Sequence, residues 1–110
     1  IQEIEIRNNK YYTSEDGIVY TKDKKKLLKC PPEITGHIVI PDGVREIGER
    51  AFANSKVESI TFPDSLREIG YEAFVHCTKL NQIDFGRGIK EIGKTAFEWC
   101  SVLTVLKKDM

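Results

Sequence analysis

The side chains that favour metal or nucleophile chemistry are two cysteines. Cys77 follows His76, and Cys100 follows Trp99. A zinc site needs ligands at short, regular spacings, such as C-x-x-C pairs or an H-E-x-x-H helix, and the sequence has neither. The other histidine, His37, lies far from His76 along the chain. Because free cysteine behaves as a small apolar residue, we predict buried, reduced thiols at Cys77 and Cys100 and no metal site.

A glycine-rich stretch and a lysine-rich stretch also resemble binding motifs. Gly86-Arg87-Gly88 begins like a dinucleotide-binding loop, but Glu91 stands where the third glycine belongs, so we interpret the glycines as turn residues. The lysine run is typical of a solvated edge that discourages strand pairing, with contact to an anionic ligand as the alternative. It comprises Lys22, Lys24, Lys25, Lys26 and Lys29, interrupted by Asp23. No acid, base and nucleophile converge, so we predict a non-enzymatic protein without a cofactor.

Composition limits the number of domains and the classes of partner. The chain has 110 residues, which is enough for one domain with a modest core. Its 17 basic and 17 acidic residues balance, so the electrostatic footprint of a general nucleic-acid or membrane binder is missing. Three cysteines cannot all pair within one chain, and they leave the redox compartment undecided.

An internal repeat organises most of the sequence. Residues 57–79 match residues 80–102 position by position, and residues 35–56 form an earlier copy with Asn54 where the cysteine is expected. Self-similarity at this period is typical of a solenoid, in which each repeat buries its apolar side chains against its neighbours. The copies share a strand-like apolar triplet, an Arg/Lys-Glu-Ile-Gly segment and an Ala-Phe pair. The apolar triplet is Val57-x-x-Ile60-x-Phe62 in one copy and Leu80-x-x-Ile83-x-Phe85 in the next.

Both ends of the chain carry fragments of the same pattern. Ile1-x-x-Ile4-x-Ile6 has the spacing of the apolar triplet, and Leu103-x-x-Leu106 begins another copy. We therefore divide the chain into a partial repeat at 1–10, a hairpin insert at 11–34, full repeats at 35–56, 57–79 and 80–102, and a partial repeat at 103–110. Because an uncovered end repeat exposes backbone and aliphatic side chains, we expect a fragment of a longer protein.

Spacing within a repeat predicts its local structure. Alternation in Ile60-x-Phe62 indicates one short parallel strand, which Pro63 ends because proline has no amide hydrogen. The Ile69-Gly70 segment turns the chain, and residues 72–74 suggest one short helical turn with Phe74 pointing inward. Stacking of the repeats then forms one column of phenylalanines and one of isoleucines. The predicted columns are Phe52, Phe74 and Phe97, and Ile47, Ile69 and Ile92.

The insert reads as a β-hairpin. Residues 16–21 and 26–31 are rich in strand-forming side chains, and the polar residues 22–25 separate them. We expect this hairpin to cover the adjacent face or edge of the sheet. The predicted fold class is therefore an α+β repeat solenoid: a right-handed, leucine-rich-repeat-like stack with short parallel strands, short helical turns and an inserted β-hairpin.

The repeated I-G-x-x-A-F motif and the pattern I-x-F-P-[DS]-x-L-R-E-I-G-x-x-A-F-x-x-C resemble the BspA-like class of bacterial leucine-rich repeats. The insert D-G-I-V-Y-T-K-D-K-K-K-L-L-K-C-P-P is similar to the hairpin that these proteins commonly contain. The resemblance implies a curved solenoid at the cell surface or secreted, with some relatives acting as adhesins for host matrix proteins or other cells. It supplies no family-wide binding or catalytic residues to transfer.

The outward face of the strands is the candidate binding surface, because the core does not constrain those positions. One predicted column is His37, Ser59, Gln82 and Val105, and the other is Val39, Thr61, Asp84 and Lys107. We predict an adhesion-type interaction module with a protein or glycan partner there. The face lacks aromatic and arginine anchors, which favours the alternative of a structural spacer that projects another domain and has no ligand of its own.

Overall fold

Short strands and turns make up the structure, a computed structural model that describes residues 11–103 and the backbone of residues 105–107. These residues form about three turns of a leucine-rich-repeat-like β-solenoid. The strands are β1 Tyr12–Glu15, β2 Ile18–Thr21, β3 Lys26–Lys29, β4 Thr35–Val39, β5 Glu46–Ile47, β6 Lys56–Thr61, β7 Glu68–Ile69, β8 Gln82–Asp84, β9 Glu91–Ile92 and β10 Val105–Lys107. The partial repeat predicted at 1–10 lies outside the described residues, and so do 104 and 108–110 of the one predicted at 103–110.

The strands belong to two sheets. The four-stranded sheet has the order β10-β8-β6-β4 and is parallel throughout, and the six-stranded sheet has the order β1-β2-β3-β5-β7-β9. Each solenoid turn therefore contributes one strand to each sheet, as β4 and β5, β6 and β7, and β8 and β9 show. We predicted one strand for each repeat, and this was wrong. Strands of only two residues, such as Glu46–Ile47, are too short to show an alternating pattern in the sequence.

The predicted helical turns are wrong, and with them the α+β class. Glu72 and His76 have φ values of 51° and 58°. These two left-handed residues, four positions apart, prevent segment 70–77 from forming a continuous right-handed helix. The amide of Phe74 donates to the carbonyl of Ala96 in the next turn at 2.7 Å, whereas a helical amide would bond within its own segment. Among the described residues there is no α-helix, and thus none long and apolar enough to cross a bilayer.

The phenylalanine column predicted from the sequence is confirmed. The rings of Phe52 and Phe74 stack with centroids 4.7 Å apart and planes 14° apart, and Phe74 stacks on Phe97 at 5.2 Å and 11°. Phe52 and Phe74 are fully buried, and Phe97 is half-buried in the last complete turn. This column joins the turns through the centre of the core.

The isoleucine column is present as well. Ile47 and Ile69 are buried, whereas Ile92 is 44% exposed, because β9 is the outermost strand of the described six-stranded sheet. The pairings Ile47↔Ile69 and Ile69↔Ile92 fix these side chains in register. Burial in this column therefore depends on a strand being present on each side.

The assignment of Asn54 to the cysteine column is wrong. Ser55, not Asn54, lies three residues after Phe52, as Cys77 lies three residues after Phe74. Ser55 is buried, and Asn54 is exposed with φ 62°. Asparagine tolerates the left-handed backbone better than most residues, which explains its place in the turn. The internal column therefore carries a hydroxyl in one turn and thiols in the next two.

The predicted hairpin is formed by β2 and β3, which pair antiparallel. A third strand, β1, pairs antiparallel with β2 and was missed from the sequence. Strand β3 also pairs in parallel with β5, with Leu27 opposite Ile47 and a Lys26–Glu46 ion pair of 3.3 Å. The hairpin thus extends the six-stranded sheet at its edge.

Candidate functional site

The register of the four-stranded sheet brings the predicted face residues together. His37 lies opposite Ser59, and Ser59 lies opposite Gln82. Val39, Thr61 and Asp84 form the neighbouring column. The backbone of β10 continues both columns, with Val105 opposite Gln82 and Lys107 opposite Asp84.

Strand alternation explains why these side chains point outward. Ile60 and Ile83, which lie between the two columns, are 1% and 0% exposed. Successive side chains of a strand point to opposite faces, so the residues that flank these isoleucines face solvent. Val39 is 65% exposed and is the apolar member of the face at β4. The inward positions repeat large apolar side chains, as Ile, Ile, Ile and Ile, Phe, Phe, whereas the outward positions change in chemical type from turn to turn.

His37 lies across β6 and bridges two hydroxyl groups. Its Nδ1 is 2.5 Å from the Ser59 Oγ, and its Nε2 is 3.3 Å from the Thr61 Oγ1. A hydroxyl can donate or accept, so either tautomer of the neutral ring is satisfied. A serine beside a histidine resembles a nucleophile with its base, but a catalytic base is normally oriented by a third group such as a carboxylate, and here Thr61 occupies that place. The arrangement presents one imidazole and two hydroxyl groups on the outward face of the sheet.

A shallow depression of about 410 Å³ borders the Val39 column and has an acidic lining. Asp42, Asp64 and Asp84 all contribute to it, beside Thr61 and the cationic Arg87. The Asp64 Oδ1 accepts the amide of Arg87 at 3.0 Å, and the Asp84 Oδ1 accepts the amide of Gly86 at 3.2 Å. Three carboxylates and one guanidinium leave the lining with an excess of negative charge.

A second groove, of about 390 Å³, lies between β4 and the turn that joins β1 to β2. Its apolar and acidic lining includes Ile18, Tyr20, Ile34, Ile38, Glu15 and Asp16. Burial raises the pKa of Tyr20 to about 12, and the negative charges of Glu15 and Asp16 add to that rise. This groove therefore combines an apolar floor with negative potential.

The three cysteines are free thiols: Cys30 and Cys77 are buried, whereas Cys100 is only partly buried, so the prediction of burial holds for Cys77 and not fully for Cys100. The Sγ of Cys77 donates to the carbonyl of Phe52 at 3.0 Å, and the Sγ of Cys100 donates to that of Phe74 at 3.1 Å. A hydrogen bond with Cys100, together with burial, raises the pKa of Cys77 well above its usual range. Burial raises the pKa of Cys30 to about 12. Within residues 11–103, no three His, Cys, Asp or Glu side chains are placed to hold a metal ion.

Sequence reasoning missed an exposed aromatic pair on the turn side. His76 and Trp99 stack with centroids 6.0 Å apart and planes 8° apart, and Trp99 is 63% exposed. Both residues occupy the left-handed position before the cysteine, with φ values of 58° and 65°. The signal in the sequence was their equivalent place in successive repeats, two residues after Phe74 and Phe97.

The repeat pattern places the chain in a known family. The BspA type leucine rich repeat region, described with six copies, matches residues 29–108. The chain belongs to the BspA-type leucine-rich repeat family. Leucine-rich repeats are generally non-enzymatic modules that mediate protein binding. No curated protein matches the chain significantly.

Three solved structures share the fold of this BspA-type repeat. A leucine-rich repeat protein from Eubacterium ventriosum is 27% identical with a TM-score of 0.87, and the match covers 94% of this chain and 28% of that protein. A leucine rich cell surface protein from Faecalibacterium prausnitzii is 29% identical with a TM-score of 0.77, over 88% of this chain and 27% of that one. The pneumococcal vaccine antigen PcpA, at 20% identity and a TM-score of 0.67 over 94% of this chain and 32% of that one, shares the fold. The BspA-type repeat thus spans about a third or less of these relatives.

Proposed function

We propose that this BspA-type repeat is an adhesion-type interaction module of a bacterial surface or secreted protein, and that it binds a protein or glycan partner on the outward face of its four-stranded sheet. The observation that carries the proposal is the contrast between the two faces of the strands. Inward positions repeat, as Ile60 and Ile83 do, whereas the outward columns change from turn to turn. Packing explains the first set and leaves the second free for recognition.

The chemistry of the face supports a polar partner. Imidazole, hydroxyl, amide and carboxylate groups lie side by side at His37, Ser59, Thr61, Gln82 and Asp84. Such groups recognise peptide bonds and sugar hydroxyls through hydrogen bonds. The cell-surface description of the Faecalibacterium prausnitzii relative supports the proposed location.

The test is a double substitution on the face with a matched control. Thr61→Lys/Asp84→Lys adds two long cationic side chains to the centre of the face, so we expect it to abolish binding to a partner identified from a panel of host matrix proteins and glycans. Thr78→Lys/Glu98→Lys makes the same change of charge at exposed positions elsewhere and retains binding. The control pair shifts the free energy of unfolding by about 0.5 kcal/mol or less per substitution. The face pair also removes the bonds of Thr61 to His37 and of Gly86 to Asp84, so a loss of about 1 kcal/mol per substitution is expected.

Two results contradict this assignment. If the face variant binds at unchanged affinity while Lys24→Gln/Lys25→Gln abolishes binding, the hairpin is the binding site. If the unmodified chain retains no member of the panel, the second candidate function, a structural spacer, is favoured. The absence of aromatic and arginine anchors from the face is the observation that supports the spacer.

A further inference from the structure

Cys77 and Cys100 occupy the same position in adjacent turns of the solenoid. Each lies three residues after a phenylalanine of the stacked column, and the rings of these two phenylalanines, Phe74 and Phe97, have centroids 5.2 Å apart. The carbonyl of Phe74 accepts both the amide of Cys77, at 3.3 Å, and the Sγ of Cys100, at 3.1 Å. One backbone oxygen therefore holds the thiol of Cys100 beside the backbone of Cys77.

Backbone hydrogen bonds fix the spacing between the two segments that carry these cysteines. The amide of Phe74 donates to the carbonyl of Ala96 at 2.7 Å, and the amide of His76 donates to the carbonyl of Glu98 at 2.9 Å. Segments paired in this way lie about 4.7–4.9 Å apart, as neighbouring strands do. A disulfide requires Cα atoms about 4.4–6.8 Å apart, so the spacing between the turns suits an S–S bond between the two cysteines.

Cys30, the third thiol, lies too far away to take part. Its amide donates to the carbonyl of Ala51 at 2.8 Å, and the amide of Phe52 donates in turn to the carbonyl of Ala73 at 2.7 Å. Two strand spacings, about 9–10 Å, therefore separate Cys30 from the turn that contains Cys77. This distance exceeds the reach of a disulfide.

The two neighbouring thiols differ in access and in acidity. Cys77 is buried, whereas Cys100 is partly buried. The hydrogen bond between them raises the pKa of Cys77 and lowers the pKa of Cys100. Because the thiolate is the nucleophile in thiol–disulfide exchange, Cys100 reacts first with an external disulfide, and Cys77 then needs to reach only Cys100.

We propose that Cys77 and Cys100 form a disulfide between adjacent turns when the folded chain meets a low-molecular-weight disulfide. The thiolate of Cys100 attacks one sulfur of that molecule, so that a mixed disulfide forms and one small thiolate leaves. Cys77 then loses its proton to solvent and attacks the Sγ of Cys100, which forms the S–S bond within the chain and releases the second small thiolate. Two protein thiols are thereby oxidised, and the small disulfide is reduced to two thiols that take up the two protons.

The bond would join the turns at 57–79 and 80–102 covalently. Both cysteines lie inside the stack and not on the outward face of the four-stranded sheet, since their Sγ atoms bond to the carbonyls of Phe52 and Phe74. The modification is therefore independent of the proposed binding function, and it acts on the cohesion of the turns.

Oxidised glutathione added to the reduced, folded chain tests the proposal. Thiol titration after acid quenching and denaturation should show the loss of two of the three thiols, and peptide mapping by mass spectrometry should identify a link between Cys77 and Cys100. Because a disulfide constrains the unfolded chain, we expect the oxidised chain to unfold at a higher urea concentration than the reduced chain. Dithiothreitol should reverse this shift.

Two serine variants serve as matched controls. Cys30→Ser removes a thiol outside the proposed pair and leaves both the link and the urea shift unchanged. Cys77→Ser removes the second attacking thiol, so glutathione stays attached to Cys100 and the urea shift is absent. Serine suits position 77, because Ser55 is buried at the equivalent position of the preceding turn.

Three results overturn the proposal. The first is a folded chain that keeps all three thiols in oxidised glutathione, or that stops at the mixed disulfide on Cys100. The second is a link that involves Cys30 or that joins two chains. The third is a link that forms only in urea, or that leaves the urea midpoint unchanged or lowered, because the folded turns then do not accommodate the bond. If Cys77→Ser does not fold, the peptide maps of the unmodified chain and of Cys30→Ser decide.

Discussion

Truncation of the central phenylalanine, Phe74→Ala, tests how the solenoid turns are held together. Phe74 is fully buried, stacks on Phe52 and Phe97, and meets Phe62 edge-on with centroids 6.0 Å apart. Truncating a buried phenylalanine costs about 3–5 kcal/mol. Because the ring has partners on both faces and at its edge, and each aromatic pair contributes about 0.5–1.5 kcal/mol, we expect a loss of about 4 kcal/mol.

Urea unfolding followed by far-UV circular dichroism measures this loss. With an m-value of about 2 kcal/mol/M, a loss of 4 kcal/mol lowers the midpoint by about 2 M. Phe97→Ala is the matched comparison, because Phe97 is half-buried and stacks on one face only, so about 2 kcal/mol is expected. A loss below about 1 kcal/mol for Phe74→Ala, or a larger loss for Phe97→Ala, would refute the view that the stacked column couples the turns.

Two further predictions concern the thiols and the buried phenol. Without denaturant, a thiol reagent labels the half-buried Cys100 faster than Cys77, whose pKa is raised, and equal rates would contradict the burial of Cys77. Burial raises the pKa of Tyr20 to about 12 in the folded chain, from about 10 in the unfolded chain. The stability contributed by the neutral phenol is therefore fully present below pH 10 and is lost as the pH rises from 10 to 12. Tyr20→Phe removes this alkaline loss in unfolding experiments, and an unchanged pH profile would show that another group causes it.

The repeat pattern was sufficient to predict which residues share a column. The phenylalanine column and both columns of the candidate face follow from the position of each residue within its repeat, because stacked turns place equivalent residues in register. The bridging of Ser59 and Thr61 by His37 did not follow. It depends on the rotamer of His37, which a one-dimensional pattern does not specify.

The errors arose where the backbone, and not the side-chain pattern, determines the structure. Residues 72–74 suggested a helical turn, but left-handed Glu72 and an amide bond from Phe74 to the next turn produce a chain of turns instead. The placement of Asn54 in the cysteine column was instead a miscount by one residue, because Ser55 lies three residues after Phe52, as Cys77 does after Phe74. A left-handed residue other than glycine has only a weak signal of residue type.

The hydrogen bonds between neighbouring strands have a mechanical consequence. Strands β4, β6, β8 and β10 pair in parallel, so their backbone hydrogen bonds run along the direction in which the turns are stacked. A force that pulls the two ends of the stack apart acts along the length of these hydrogen bonds. Because each turn contacts only its neighbours, the hydrogen bonds between one pair of turns break before those between the next pair. We therefore expect the turns of the solenoid to unfold one after another at low force, so that the chain lengthens under tension while its remaining turns stay folded.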